Sequence, residues 1–221
     1  MTVIQDPEPF VQPTDSPVSN LAPPGAGLPF VEAWLTRYIM FPVATRLLSP
    51  GQAIAMVTRL GHQALSAAQA MSDSQLTQPV LIDRFPGIEE SSRCWSVLMT
   101  LHHLLITGEA MAQMVTQLTH GQAINQVVRI EDVKPPTQAD ADEVFEQYAR
   151  VLTAYPERIT ALLPLSHTNR HPHPWFGAIT ARQWLCLNGI HHQIHWAQIQ
   201  KIQQAFSTEQ QSPGVAQKPG D

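Results

Sequence analysis

Residues 180–199 read Thr180-Ala181-Arg182-Gln183-Trp184-Leu185-Cys186-Leu187-Asn188-Gly189-Ile190-His191-His192-Gln193-Ile194-His195-Trp196-Ala197-Gln198-Ile199. Thr180 and Gln183 have the Thr-x-x-Gln spacing of a capping box, in which a hydroxyl and an amide satisfy backbone N–H groups at a helix start. From there, steps of three and four residues carry Trp184, Leu187, Asn188, His191, His195, Gln198, Ile199 and Ile202 along one face. A helix of about 27 residues, roughly 40 Å long, is therefore expected. A single helix of that length cannot cover its own apolar stripe, so other helices must. That points to an antiparallel helix bundle.

The rest of the chain supplies the partners. Helical periodicity predicts elements over about 30–48, with a kink at Pro42, then from near Pro50 through Met71, over 91–118 and over 137–163. Thr137 offers a cap to the fourth of these, with Asp140 and Asp142 near its positive end. The segment around Pro79, Pro86 and Gly87, residues 120–136 and the His- and Pro-rich 164–179 read as loops, with a short extended piece at Gln126 to Ile130. No run of strands with hairpin turns and no internal repeat is evident. Residues 1–29 hold seven of the nineteen prolines and read as a disordered arm. The division is therefore a 1–29 arm, a 30–206 bundle and a disordered 207–221 tail, in an all-α chain.

Composition narrows the function classes. The chain has 221 residues, a net charge of -5 and only 14% charged residues, so it lacks the basic face that displaces counterions from nucleic acid. With 43% hydrophobic residues it can bury a sizeable core. The most apolar stretch, Pro29 to Leu48, contains Glu32, Arg37 and Arg46 and falls short of a membrane span. The start of the chain lacks a secretory pattern, which makes a soluble cytoplasmic protein the expectation. Cys94 and Cys186 form no Cys-x-x-Cys pair and read as small buried hydrophobes.

Ten histidines against thirteen Lys plus Arg is the unusual ratio. His191 and His195 are four apart, so two imidazoles on one face can reach a single metal. They also interrupt a stripe that faces the core, where unpaired imidazoles are costly to desolvate. His192 points about 100° away, toward the flank. On 91–118, the face of His103 (Met99, Ile106, Ala110, Met114, Leu118) is apolar throughout. The face of His102 turns polar at Glu109, Gln113 and Thr116. Periodicity thus favours His103 as the inward residue, with His102 as the alternative.

If the two helices are neighbours, His103, His191 and His195 converge. Three neutral imidazoles on a divalent ion leave positions open for water or substrate. A bound water would become more acidic and a bound thiol would be deprotonated. Asn188 and Gln198 are candidates to hold the other ring nitrogens, and Glu109 is a weaker candidate for a nearby carboxylate. His171-x-His173 reads as a loop pair at the rim, Trp175 and Phe176 as plugs at the bundle end, and the tryptophans as core. His62, His120 and His167 read as surface or helix-end residues. His-Glu-x-x-His, Glu-x-x-His, Gly-x-Ser-x-Gly, Gly-x-Gly-x-x-Gly and a Gly-Lys-Ser/Thr loop are all absent. That disfavours zincin, ferritin-like di-iron, nucleophile-elbow and nucleotide-loop chemistry.

These residues resemble a known family. Trp95 eight residues before His103, then His173-Pro174-Trp175-Phe176-Gly177, Thr180-Ala181-Arg182-Gln183-Trp184, His191 to His195 and Gln198-Ile199 look like DinB/YfiT-like proteins. The branch with a His-Pro-x-Phe-Gly signature is the most similar in flavour. The motifs lie in about 90–120 and 170–202. The resemblance implies a four-helix bundle in up-down-down-up order, with one histidine of the second helix and two of the last binding a divalent metal. Carried onto this chain, those are His103, His191 and His195, the set the stripes favour. Some members of that family are metal-dependent transferases using small thiols, which makes a metal-dependent transferase or hydrolase acting on a small molecule the expectation, with a low-molecular-weight thiol as co-substrate. Three imidazoles suit zinc, nickel, iron or copper alike. The long Pro-rich arm is extra to the family.

The expected partner is a small-molecule substrate, with neither nucleic acid nor membrane, and a homodimer is compatible with the reading. The alternative from another class is a non-catalytic interaction or dimerisation module whose histidines are core or pH-responsive groups.

Overall fold

The computed structural model describes residues 21–211 except 24, 126, 166 and 167. Most of the expected arm, the tail beyond 211 and His167 lie outside the described residues. In chain order the elements are α1 (Phe30–Leu35), α2 (Phe41–Leu47), α3 (Pro50–Gln69), α4 (Asp73–Thr77), β1 (Val80–Leu81), β2 (Cys94–Trp95), α5 (Val97–Thr119), α6 (Ala141–Thr160), β3 (Arg170–His173), β4 (Gly177–Thr180) and α7 (Ala181–Gln211). Helices α3, α5, α6 and α7 form the bundle, in the ring order α3, α7, α5, α6.

Specific contacts give the directions. Gly189 of α7 lies against Ala53 and Met56, and Gln203 donates to the Ala67 carbonyl fourteen residues on, so α3 and α7 run parallel. On the other side, His191 meets His103 while Asn188 reaches back to the Gly108 carbonyl, so α5 opposes α7. Helices α5 and α6 run together: one apolar layer holds Leu101 and Val144, the other Val115 and Ile159. The order is up-down-down-up, as expected, and the parallel α5–α6 step is made by the long crossover 120–140.

Local chemistry explains the boundaries. Ser49 and Gln52 exchange hydrogen bonds in a capping box at the start of α3. Thr180 and Gln183 do the same for α7 at 3.3 and 3.0 Å. That helix continues to Gln211, a few residues past its expected end. Four expectations shift. The helix predicted over 91–118 starts only at Val97, because Ser96 caps Met99 N–H and the residues before it form a 3-10 turn and β2, which pairs with β1. Asp140, a strong N-cap, opens α6 in place of Thr137. The predicted loop 164–179 contains the β3–β4 hairpin, closed at Gly177 with φ +70°, where a side chain would be strained. No strand forms at 127–130; a 3-10 turn at Glu131–Val133 comes next.

The expected kink at Pro42 takes another form. Proline cannot donate at its slot in the ladder, and residues Thr36–Met40 open into a π turn, with Phe41 N–H reaching Thr36 O.

The core has two apolar layers. One contains Val57, Val115, Ile159 and Leu185; the other contains Leu101, Leu104, Leu152 and Ile202. Between them α7 presents a polar belt, with Asn188, His192, His195 and Gln198 all buried. Close packing on α6 requires Gly61, where a Cβ would strike Leu152 Cδ2 and come within 3.0 Å of Tyr148 Oη. Gly61→Ala is expected to lose about 1–3 kcal/mol of unfolding free energy in urea titrations, as overpacked cores do.

Candidate metal centre

His103 comes from the middle of α5, and His191 and His195 come from successive turns of α7. Their ring nitrogens meet: His191 Nε2 is 3.2 Å from His103 Nε2 and 3.1 Å from His195 Nε2. All three ligand atoms lie within 4.8 Å of one another. His103 and His195 are buried, and His191 keeps partial exposure, so the cluster opens on its side.

The opposite nitrogens fix the tautomers of His103 and His195. His103 Nδ1 is 2.8 Å from the Val133 carbonyl, which can only accept, so Nδ1 carries the proton. Gln198 donates its amide N–H to the Ser92 carbonyl at 2.7 Å, which turns its oxygen toward His195 Nδ1, 2.7 Å away. His195 therefore donates from Nδ1 too. Thr107 donates its hydroxyl to the His103 carbonyl at 2.6 Å, and its oxygen lies 3.5 Å from His191 Nδ1. His103 and His195 thus direct their Nε2 lone pairs into the cluster, toward His191 Nε2. Lone pairs that close repel one another, and a cation among them removes the repulsion.

Protonation does not relieve the crowding. Burial pushes His103 down to about 4, assisted by the Lys134 ammonium and the neighbouring histidines, while its bond to Val133 acts in the other direction. Loss of solvent, then the mutual proximity of the rings, holds His191 and His195 well below the ordinary histidine range. Three neutral donors at neutral pH suit a divalent metal.

Trp95 closes one wall. Its ring lies parallel to His195 at 6.0 Å and edge-on to His103 at 5.0 Å. Lys134 Nζ sits 5.6 Å from the Trp95 ring and donates to Ser91 Oγ at 2.5 Å. Ser91 Oγ in turn donates to buried Glu89, whose carboxylate also accepts the N–H groups of Gly25 and Gly27. The end of the Pro-rich segment is therefore tied to the loop beside the site.

Each candidate has a definite place. The structure brings His103, His191 and His195 together and turns His102 toward the flank. His192 is not a flank residue: it is buried, with Nδ1 on the Asn188 carbonyl and its ring over Gly108. Of the two predicted supports, Gln198 holds the His195 ring, whereas the Asn188 side chain bonds Gly108 O and Tyr155 Oη. Glu109 is paired with Arg158 at 2.7 Å, away from the triad. His171 and His173 lie in β3, where His173 packs edge-on to Trp184 and tilted against Phe176. Phe176 stacks on Phe41, while Trp34 is on the surface and not in the core. Sequence reasoning missed the Val133 and Ser92 carbonyls, which carry no side-chain signal. Thr107 was findable, one turn after His103.

Gln198→Leu leaves His195 Nδ1 and Ser92 O unsatisfied and frees the ring to turn. Metal affinity measured against a competing chelator is expected to fall about 10–100-fold.

A family model, the DinB superfamily, matches residues 34–199, well over half of the chain. No curated protein matches it.

Proposed function

The chain belongs to the DinB superfamily, and from that membership we propose that His103, His191 and His195 hold a divalent metal serving a transfer or hydrolytic reaction on a small molecule. The observation that carries the proposal is the convergence of three Nε2 atoms within 4.8 Å of one another, with the Nδ1 atoms of His103 and His195 held by the Val133 and Gln198 oxygens. Three imidazoles accept zinc, nickel or iron. Such an ion supplies Lewis acidity toward a bound water or thiol.

The chain's own residues prepare the place for it. Val133 and Gln198 orient two rings, Trp95 excludes water from one wall, and the partly exposed His191 leaves a side where a ligand can enter. Lys134 puts a partly desolvated ammonium beside Trp95 and near His103, held by Ser91, where it can attract an anionic group. A low-molecular-weight thiol is the co-substrate we favour, since a thiol bound to such an ion would be held as its nucleophilic thiolate.

Thiol consumption with a panel of small electrophiles provides the test. Metal-loaded protein is expected to accelerate it, and both the chelated protein and a loaded Lys134→Ala variant to fall behind. Equal rates with and without metal for every electrophile and thiol tried would leave the reading without support.

The second reading, a non-catalytic interaction module, is favoured by one observation: the outer face of α1 and α2 is apolar and uncovered. A shared surface and a metal centre are compatible, so the two are tested separately.

A further inference from the structure

Helices α1 and α2 lie outside the four-helix ring and present the most exposed apolar surface of the described residues. Phe30 is 84% exposed, Val31 74% and Leu47 78%, and Trp34, Tyr38, Ile39 and Met40 are about half exposed. Such residues on a lone surface helix would ordinarily turn inward. Here the inward side is already engaged: Glu32 accepts from Arg84 at 2.5 Å and from Gly87 N–H at 2.7 Å, and Phe41 stacks on Phe176 at 4.1 Å. The helix is a fixed platform with its apolar side out.

The π turn keeps that side continuous. Val31, Leu35, Ile39, Val43 and Leu47 repeat every fourth residue, a spacing that drifts about 40° per step on an α-helix and would wind the stripe onto the buried side. The wider turn at Thr36–Met40 takes in an extra residue and rotates the succeeding turns back by about 100°. Val43 and Leu47 therefore remain in line with Val31 and Leu35.

We propose that this face is the interface between two copies of the chain, packed α1–α2 against α1–α2 about a twofold axis. With whole-residue areas of ~150–250 Å² for such side chains, the exposed portions amount to roughly 1,000 Å². Lone monomers rarely show apolar patches beyond about 300–600 Å², and each partner of a standard-size interface contributes about 800 Å². The aromatic and Met content is that of an interface core. A face without net charge pattern is self-complementary, as an isologous contact requires. An anionic membrane surface fits worse: the segment carries only Arg37 and Arg46, and the chain's net charge is -5.

Light scattering during size exclusion tests this on the full chain. Twice the 24.5 kDa chain mass is expected at micromolar concentration. Val31→Glu combined with Ile39→Glu is expected to raise the dimer dissociation constant at least ~100-fold, the scale of interface hot spots, and to give the single-chain mass. Both side chains are solvent-facing in one copy, so circular dichroism and thermal melts of the variant should show an intact bundle. Leu81→Glu, an exposed apolar residue outside the face, should leave the dimer unchanged. A monomer at ~100 µM, a dimer that persists in the double variant, or sedimentation of the wild type with anionic phospholipid vesicles would each overturn the proposal. So would a monomer whose Trp34 and Met40 resist oxidative footprinting, which would mean that the chain's own remaining residues cover the face.

Discussion

Replacing His191 by alanine is expected to abolish stoichiometric metal binding, lowering affinity by at least about a hundredfold. Even a partner standing behind a metal ligand is worth 10–100-fold, and His191 is the ring whose Nε2 is within 3.2 Å of both others. The same ion stabilises the folded chain by mass action, about 2.7 kcal/mol at a free concentration one hundred times the dissociation constant. That increment, read as the difference between melts with and without metal, should vanish in His191→Ala. His192→Ala is the matched control. It alters the adjacent buried histidine, whose ring faces Gly108 and Tyr148, so it should reduce stability but keep the metal increment. An equal loss in both variants would mean that the cluster is a packing feature only.

Acid should unfold the metal-free chain steeply, and the sign comes from burial. His103, His173 and His192 are each pushed from 6.5 to about 4. Because these bases are harder to protonate when folded, the unfolded chain binds more protons between those values. Stability is therefore full above pH 6.5 and is lost as pH falls toward 4. Each such histidine contributes about 2 kcal/mol of the difference between pH 7.5 and pH 5, and His191 and His195 act in the same direction. The sum is comparable to the whole stability of an ordinary domain, about 5–15 kcal/mol. Urea midpoints at pH 7.5 and 5.0 measure it. A midpoint that does not move, or rises in acid, would show that these rings are solvated in solution. Metal should make the acid loss sharper, because ligand imidazoles must be neutral to bind.

The bundle was legible because its long helices carry local signals. The Thr180–Gln183 box, the stripe from Trp184 to Ile202 and the apolar face of His103 each specify an inward side, and inward sides must meet. The inward triad could be read from two periodicities for the same reason. A flank position for His192 fails because periodicity assumes a flat boundary between core and flank. In the bundle, Gly108 has no side chain at the facing position, and the gap admits an imidazole. The helix expected from 91 instead begins at Val97, because a two-residue strand pair and a serine cap leave no periodic trace. The carbonyls of Val133 and Ser92 were out of reach altogether: any residue supplies a carbonyl, and only the path of the loop decides where it points. The outward stripe on α1–α2 reads in sequence as one more core helix, since periodicity marks an apolar face without saying what covers it.

The central measurement is X-ray absorption at the metal edge of untagged protein reconstituted with zinc or nickel, with elemental content determined on the same sample. The three-histidine centre predicts about one ion per chain, with three imidazole nitrogens at ~2.0–2.1 Å and remaining light-atom scatterers from solvent. No retained ion after reconstitution, or a shell without imidazole scattering, would contradict it.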